Sequence, residues 1–173
     1  EGDQIGIGNA LTAITFTEAD VAKNIKLLNQ ARQAFASAGY LERLSAITAN
    51  LGNQYLSLGL FQRARRFRLQ DVQFSRQIGD RWGLTNGLTN LASLETQARH
   101  LDAARSVFIE FKENTLALDN PNFLVNMHSL PGTLAMKEGD PQSAIRHYKK
   151  ALRVSQEAEL RGNEIGALSD LGE

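Results

Sequence analysis

The chain has 173 residues, of which 42% are hydrophobic, and it carries 19 basic and 19 acidic side chains. This balance excludes a disordered polyelectrolyte and provides no overall field that attracts nucleic acid or an anionic membrane. The sequence contains no cysteine, which excludes disulfides, thiolate catalysis and cysteine-ligated metals. We expect a cytoplasmic protein, because no signal peptide and no apolar run of roughly 20 residues is recognisable.

A period of 40 residues organises the sequence. Ala64, Ala104 and Ala144 are spaced by two such steps. The same frame aligns two further columns, namely Leu51, Leu91, Pro131 and Leu171, and Gly52, Ala92, Gly132 and Gly172. Periods of this length are typical of repeat proteins in which each repeat is one pair of helices. The repeats span about residues 2–38, 39–78, 79–118 and 119–158, and a partial repeat covers 159–173.

The first repeat is three residues shorter than the others. Its opening segment, GDQIGIGNALTAI (2–14), matches GDRWGLTNGLTNL (79–91) at an offset of 77 residues, which is two periods less three. The missing residues fall between Ile14 and Asn24, so this repeat is expected to have a shorter first helix. Thr17 is predicted to cap the second helix, with Asp20 as its partner in a variant of the capping box.

The second repeat shows the helix pair most clearly. Apolar residues recur at three- and four-residue spacing from Leu41 to Leu58, and a second helix is predicted over about residues 62–78. Gly59 lies in the turn between them, where a positive φ costs glycine little. The second helix carries four arginines, which we interpret as a solvated face rather than a nucleic-acid footprint: Arg63, Arg65, Arg66 and Arg68.

The fourth repeat contains explicit helix starts and one internal proline. Asn120 and Asp140 each precede a proline and are predicted N-caps, and Gly139 is predicted to form the turn between the two helices. Pro131 occupies an apolar column of the first helix. We expect the helix to continue through it with a kink, held by the burial of an apolar stripe made of Leu124, Met127, Leu130 and Leu134.

The segment NLGNQYLSLGLFQRA (50–64) resembles the tetratricopeptide repeat, in the long-period variety found in bacteria. The likeness rests on Leu-Gly at 51–52, Tyr55 and Ala64. HEAT and armadillo repeats have similar periods but do not predict this register. The sequence departs from the family at Glu95 and Ala135, which replace Tyr55 in its column, and at Pro131. The resemblance implies an all-α fold, a right-handed α-α superhelix of about nine helices forming one array over residues 1–173, cut from a longer protein.

No group of residues predicts an enzyme. His100, His128 and His147 lie far apart in the repeat and lack metal-ligand spacing, and no phosphate-binding glycine motif is found. We therefore expect neither catalysis nor a metal nor a cofactor.

The tetratricopeptide resemblance implies that the first helix of each repeat lines a concave groove. Polar columns there predict partner-binding residues at Asn9, Asn50, Asn53, Asn86, Asn90 and Asn126, with Asp170 in the column of Asn50 and Asn90. Asparagine both donates and accepts hydrogen bonds, which suits the backbone of a bound peptide. These residues predict a scaffold that binds a peptide or partner protein, without nucleic acid or membrane; solvated polar positions are the alternative reading of the columns. For the whole chain, the alternative is a sensory or oligomerisation segment of a bacterial signalling protein, such as a cyclase, kinase or transcriptional regulator.

The last predicted helix has no second helix to complete its pair. Ile165, Leu168 and Leu171 are expected to form an apolar stripe whose far side is not covered by any helix of the same repeat. Terminal repeats without a polar cap tend to associate. We therefore predict self-association through this helix, and an array that continues past residue 173.

Overall fold

The computed structural model describes residues 2–172, and within that range it contains nine α-helices and no strand. The helices are α1 (Gln4–Thr15), α2 (Val21–Ser37), α3 (Leu41–Ser57), α4 (Phe61–Ile78), α5 (Arg81–Gln97), α6 (Leu101–Leu118), α7 (Pro121–Glu138), α8 (Pro141–Glu157) and α9 (Arg161–Leu171). The all-α prediction is confirmed. None of the helices in the described range is long and apolar enough to cross a membrane.

The chain forms two compact units, and the division falls inside α5, between Gly87 and Leu88. In the first unit α1 packs on α2, α2 on α3, and α3 on α4. In the second unit α6 packs on α7, α7 on α8, and α9 on both α8 and α7. Each unit is thus a stack of helix pairs, as the repeat predicts. The right-handed winding of one array over the whole chain stays a prediction.

The core of the first unit lies between α2 and α3. Leu28 and Phe35 of α2 pack with Leu44, Ile47 and Leu51 of α3, and each of these side chains is at most 7% exposed. The three residues of α3 are spaced by three and four, and the two of α2 by seven, which is two helical turns. The apolar stripe of α3 read from the sequence is thus the face that is buried. Burial of this stripe leaves the opposite side of α3 toward solvent.

A left-handed residue follows the helices at a constant interval of 20 residues. Seven residues with positive φ stand at this interval: Gly39, Gly59, Gly79, Arg99, Asp119, Gly139 and Glu159. Gly172, which follows α9, also has a positive φ but lies outside the interval. Gly59 and Gly139 have φ of 69° and 82°, so the two predicted glycine turns are confirmed. The turn geometry is conserved along the chain even where the residue is not glycine.

The first helix is shorter, as predicted, but the predicted cap of the second is wrong. The helix α1 has 12 residues whereas α3 has 17. Asp20, not Thr17, caps α2, and its Oδ1 accepts a hydrogen bond of 2.9 Å from Lys23 N. The hydroxyl of Thr17 instead donates to the carbonyl of Ile14 at the end of α1. Because α1 ends at Thr15, a five-residue connection separates the two helices and moves the cap to Asp20.

The helix α7 continues through Pro131, as predicted, but a different face holds it. The stripe of Leu124, Met127, Leu130 and Leu134 is only half-buried. The buried residues of α7 are Phe123, Val125, Gly132 and Ala135. Gly132 allows the ring of Tyr148 in α8 to approach so closely that an added Cβ would lie 2.6 Å from its Cε1. This close helix contact compensates for the hydrogen bond that Pro131 removes.

Part of the predicted apolar stripe on α9 is covered. Leu171 packs against a cluster of Ala135, Ala144 and Tyr148, and Leu168 is half-buried. Ile165 remains 69% exposed. The covering helices α7 and α8 belong to the preceding repeat, so the expectation that no helix of its own repeat covers the far side of α9 stays a prediction. Self-association through α9 stays a prediction.

Both predicted proline-adjacent caps are confirmed, and one offers a test. Asn120 Oδ1 accepts from Asn122 N at 3.0 Å, and Asp140 Oδ1 accepts from Ser143 N at 2.9 Å. We expect Asp140→Ala to lower the free energy of unfolding by about 1 kcal/mol in urea denaturation, because α8 loses its N-cap. Asp140→Asn keeps the acceptor and is the control. Equal losses in the two variants would contradict a capping role.

Candidate functional site

Two cavities form at corresponding places in the two units. The first, here called the Asp71 cavity, has a volume of about 250 Å³ and lies between α3, α4 and the first turns of α5. Its lining includes Ser45, Asn50, Asp71, Ser75, Trp82 and Asn86. The second, the Asn126 cavity, has a volume of about 210 Å³ and is lined from α7, α8 and α9 by residues that include Val125, Asn126, Ser129, Ala151, Asn163 and Asp170.

The two cavities are related by the repeat. Ser45, Ala46 and Ala49 of the first correspond to Val125, Asn126 and Ser129 of the second, two periods further along the chain. The correspondence extends to Trp82 and Gly162, to Gly83 and Asn163, and to Asn86 and Gly166. Each cavity is thus made by two consecutive first helices and the second helix between them.

The structure brings together some of the predicted asparagines. Asn50 and Asn86 are half-buried and both line the Asp71 cavity, while Asn126 lines the Asn126 cavity beside Asp170. Three others line neither cavity: Asn9 and Asn53 are exposed and Asn90 is half-buried. The side-chain oxygen of Asn53 accepts a hydrogen bond from Arg68 Nη2.

The interpretation of the arginine run as a solvated face is wrong for one of its members. Arg63 is exposed, with its guanidinium carbon 5.7 Å from the centre of the Tyr55 ring, but Arg68 is only 2% exposed. Arg68 lies four residues after Ala64, which is fully buried, and residues at that spacing share a helix face. Three residues further on, Asp71 is 5% exposed.

This buried pair stands where other repeats are uncharged. Position 68 corresponds to Phe108 and Tyr148, and position 71 corresponds to Phe111 and Ala151. All four counterparts are aromatic or small and apolar, so helix packing in this fold does not require charge there. Sequence reasoning missed the pair because the arginines were considered as a run rather than by repeat column.

Hydrogen bonds satisfy the pair incompletely. Asp71 Oδ1 accepts from Ser45 Oγ at 2.7 Å, and that hydroxyl lies 3.4 Å from Ser75 Oγ. Arg68 donates from Nη2 to Asn53, while its buried Nε has no partner among the described residues. Buried polar groups are normally paired. A charged pair with free hydrogen-bonding capacity is costly to maintain in a helix interface.

Electrostatics confirm that both charges are under strain from burial. Burial raises the pKa of the Asp71 carboxyl, and the nearby Asp80 adds to the rise, although the Ser45 hydrogen bond and Arg68 oppose it. Burial likewise lowers the pKa of Arg68, against the attraction of Asp71. Buried pairs of this kind seldom add stability compared with apolar residues of similar size.

The rim of the Asp71 cavity adds an aromatic ring and two more carboxylates. Trp82 is the only tryptophan in the sequence and is 57% exposed. Glu42 and Asp80 are both exposed, and Asp80 also caps α5 by accepting from Gly83 N at 2.8 Å. Among the residues described as lining this cavity there is no Lys, Arg or His. The described lining of the cavity therefore contains three acidic side chains and no basic one.

The histidines occupy other surroundings. His100 Nδ1 lies 2.9 Å from Glu95 Oε2. Burial, together with Lys150 and other cations, lowers the pKa of both His128 and His147. In the described part of the chain no three His, Cys, Asp or Glu residues are placed to hold a metal ion.

Comparison with known proteins bears on the fold. The chain is similar to the crystal structure of BtubC (BKLC) from P. vanneervenii, with a TM-score of 0.61 and 15% sequence identity, over 98% of this chain and 82% of that one. At this identity the likeness shows a shared helical repeat fold and nothing about function. No protein-family model matches the sequence, and no curated protein matches it.

Proposed function

We propose that this chain is a protein-binding module of the tetratricopeptide type, which holds a peptide segment of a partner against its first helices. One observation carries the proposal. Asn50, Asn86 and Asn126, which the repeat pattern assigned to the binding face, each line a cavity built at a corresponding place in its unit. Each is half-buried, so part of its surface is accessible from the cavity. Such amides pair with the donors and acceptors of an extended backbone.

The cavities also have the size expected of side-chain subsites. At about 250 and 210 Å³ they are smaller than the roughly 300–1,000 Å³ of small-molecule sites. A peptide bound to either unit would place one side chain in the cavity of that unit and its backbone against the asparagines there. A cytoplasmic location and the absence of a nucleic-acid partner stay predictions from composition.

The proposal is tested by selecting ligands and then removing the asparagines. Peptides are selected from a random display library on purified chain, and their affinities are measured by calorimetry. We expect Asn50→Ala/Asn86→Ala/Asn126→Ala to weaken binding tenfold or more, since each lost hydrogen bond is worth about 0.5–1.5 kcal/mol.

The matched control is Asn29→Ala on α2, a second helix. Its side-chain nitrogen donates to the carbonyl of Ile25, and it lines neither cavity. This variant should bind the selected peptides as the wild type does. Failure to recover any peptide, or affinities of the triple variant within a factor of two of the wild type, would refute the proposal.

A further inference from the structure

The Asp71 cavity offers hydrogen-bond acceptors and negative charge to whatever enters it. Carboxylates of Glu42, Asp71 and Asp80 line it together with the hydroxyls of Ser45 and Ser75. No cationic side chain is among the described lining residues. A cationic group with several N–H donors is the complement of this lining.

The Asp71 carboxylate has unused capacity on the cavity side. Among the residues that the structure describes, Ser45 is its one hydrogen-bond donor. An ionised carboxylate has about four acceptor positions, and buried carboxylates normally fill them. Arg68 does not line the cavity, and its Nη2 is bonded to Asn53. Asp71 therefore lines the cavity as an acceptor that a donor group entering the cavity can reach.

The size of the Asp71 cavity and the exposed ring of Trp82 favour one kind of cationic donor. The volume of about 250 Å³ suits a single long side chain. Trp82 lies in the lining with more than half of its surface exposed. A guanidinium is planar, carries five N–H donors, forms paired bonds with carboxylates and stacks on aromatic rings, whereas an ammonium is a point charge that remains strongly hydrated.

The Asn126 cavity lacks the buried acidic residue that the Asp71 cavity contains. At the positions of Ser45 and Asp71 it carries Val125 and Ala151, so its floor is apolar. The fold therefore builds such a cavity without a buried charge. The acidic floor of the Asp71 cavity is a property of this one repeat.

We propose that the Asp71 cavity binds the guanidinium of an arginine side chain of the partner, with Asp71 accepting its N–H donors and Trp82 stacking on its plane. This inference deepens the proposed function, on which it rests, by naming the side chain that the first cavity selects. The Asn50 and Asn86 amides at its edge hold the adjoining backbone.

Trp82 makes a direct test possible because it is the only tryptophan. Its indole N–H signal is followed in ¹⁵N–¹H spectra of the folded chain during titration with N-acetyl-arginine amide. We expect a saturable shift with the arginine compound and none with N-acetyl-citrulline amide, which has nearly the same shape but no charge. The lysine analogue should bind at least about threefold more weakly, since it lacks the planar fork. A shift of equal size with citrulline, or none with arginine, would overturn the inference.

Variants locate the site. Asp71→Asn should weaken binding of the arginine compound about tenfold, the value expected for a hydrogen bond to a charged group. Asp170→Asn, the same change in the Asn126 cavity, should leave it unaltered. Because Asp71→Asn leaves Arg68 without its counter-charge, its fold is checked by circular dichroism. The arginine–citrulline comparison on the wild type decides the matter even if this variant unfolds.

The outcome is separable from that of the proposed function. The arginine compound needs no peptide, so its binding is measured whether or not library selection succeeds. Selected peptides that depend on the asparagines, together with an unchanged Trp82 signal, would overturn the arginine inference and leave the binding module intact. If the arginine compound binds but no peptide ligand is found, the arginine site is supported and the peptide-binding proposal is overturned.

Discussion

Asp71→Ala alone is expected to lower the free energy of unfolding by about 3–5 kcal/mol, measured by urea denaturation followed by circular dichroism. The substitution removes the carboxylate whose charge compensates Arg68. Arg68 itself is 2% exposed, and its hydrogen bond to Asn53 does not replace that charge. Losing one member of a buried pair costs far more than the pair contributes, because the other charge stays desolvated.

The control removes both charges and copies the fourth repeat. Arg68→Tyr/Asp71→Ala places at these positions the residues found at Tyr148 and Ala151. Gly52 lies beside Arg68 as Gly132 lies beside Tyr148, so the new ring has room against α3. We expect the double variant to be at least as stable as the wild type, and up to about 4 kcal/mol more stable. A double variant as unstable as the single one would show that the pair is needed for folding.

Gly132→Ala is expected to destabilise the chain by about 1–3 kcal/mol in the same assay. The added Cβ would lie 2.6 Å from Tyr148 Cε1 and 2.8 Å from its Cδ1. The Tyr148 side chain is 5% exposed and cannot swing away, so α7 and α8 must separate. Overpacking of this kind outweighs the better helix propensity of alanine.

Gly166→Ala provides the matched control for that result. Gly166 lies inside α9, and an added Cβ there would meet nothing within 4 Å. The same substitution should therefore stabilise by up to about 1 kcal/mol through helix propensity alone. Opposite signs for the two variants would confirm that Gly132 is required by packing. A gain in stability at both positions would contradict the close contact with Tyr148.

The elements predicted well from the sequence are those determined locally. Asn120 and Asp140 cap their helices through bonds to residues two or three positions away, and Gly59 adopts the turn geometry that its lack of a side chain allows. Because the repeats share a period of 40 residues, a feature recognised in one repeat predicts the same feature at the equivalent position of the others. The asparagines at 50 and 86 were assigned to one face in the same way, and the structure places both on one cavity.

The Arg68–Asp71 pair shows what local patterns conceal. Four arginines in six residues indicate a solvated surface by composition, whereas position 68 belongs to the face of Ala64 by helix geometry. Whether Arg68 is exposed or buried depends on a different helix, α3, from which Asn53 bonds to Arg68 and Ser45 bonds to Asp71. Aligning 68 with Phe108 and Tyr148 would have exposed the conflict. The cavity itself could not be predicted, because three separate helices form it.

The constant interval between left-handed residues has a consequence for recombination of this chain. A segment such as residues 40–79 begins after one left-handed glycine and ends on another, so it forms a cassette with matching ends. If such a segment is duplicated or exchanged, each new boundary falls at the same type of left-handed turn as before. The Asp71 cavity, however, takes Ser45 and Asp71 from one cassette and Trp82 and Asn86 from the next. Exchanging whole repeats would therefore combine the Ser45 and Asp71 side of the cavity with different residues at positions 82 and 86, without any point mutation inside a repeat.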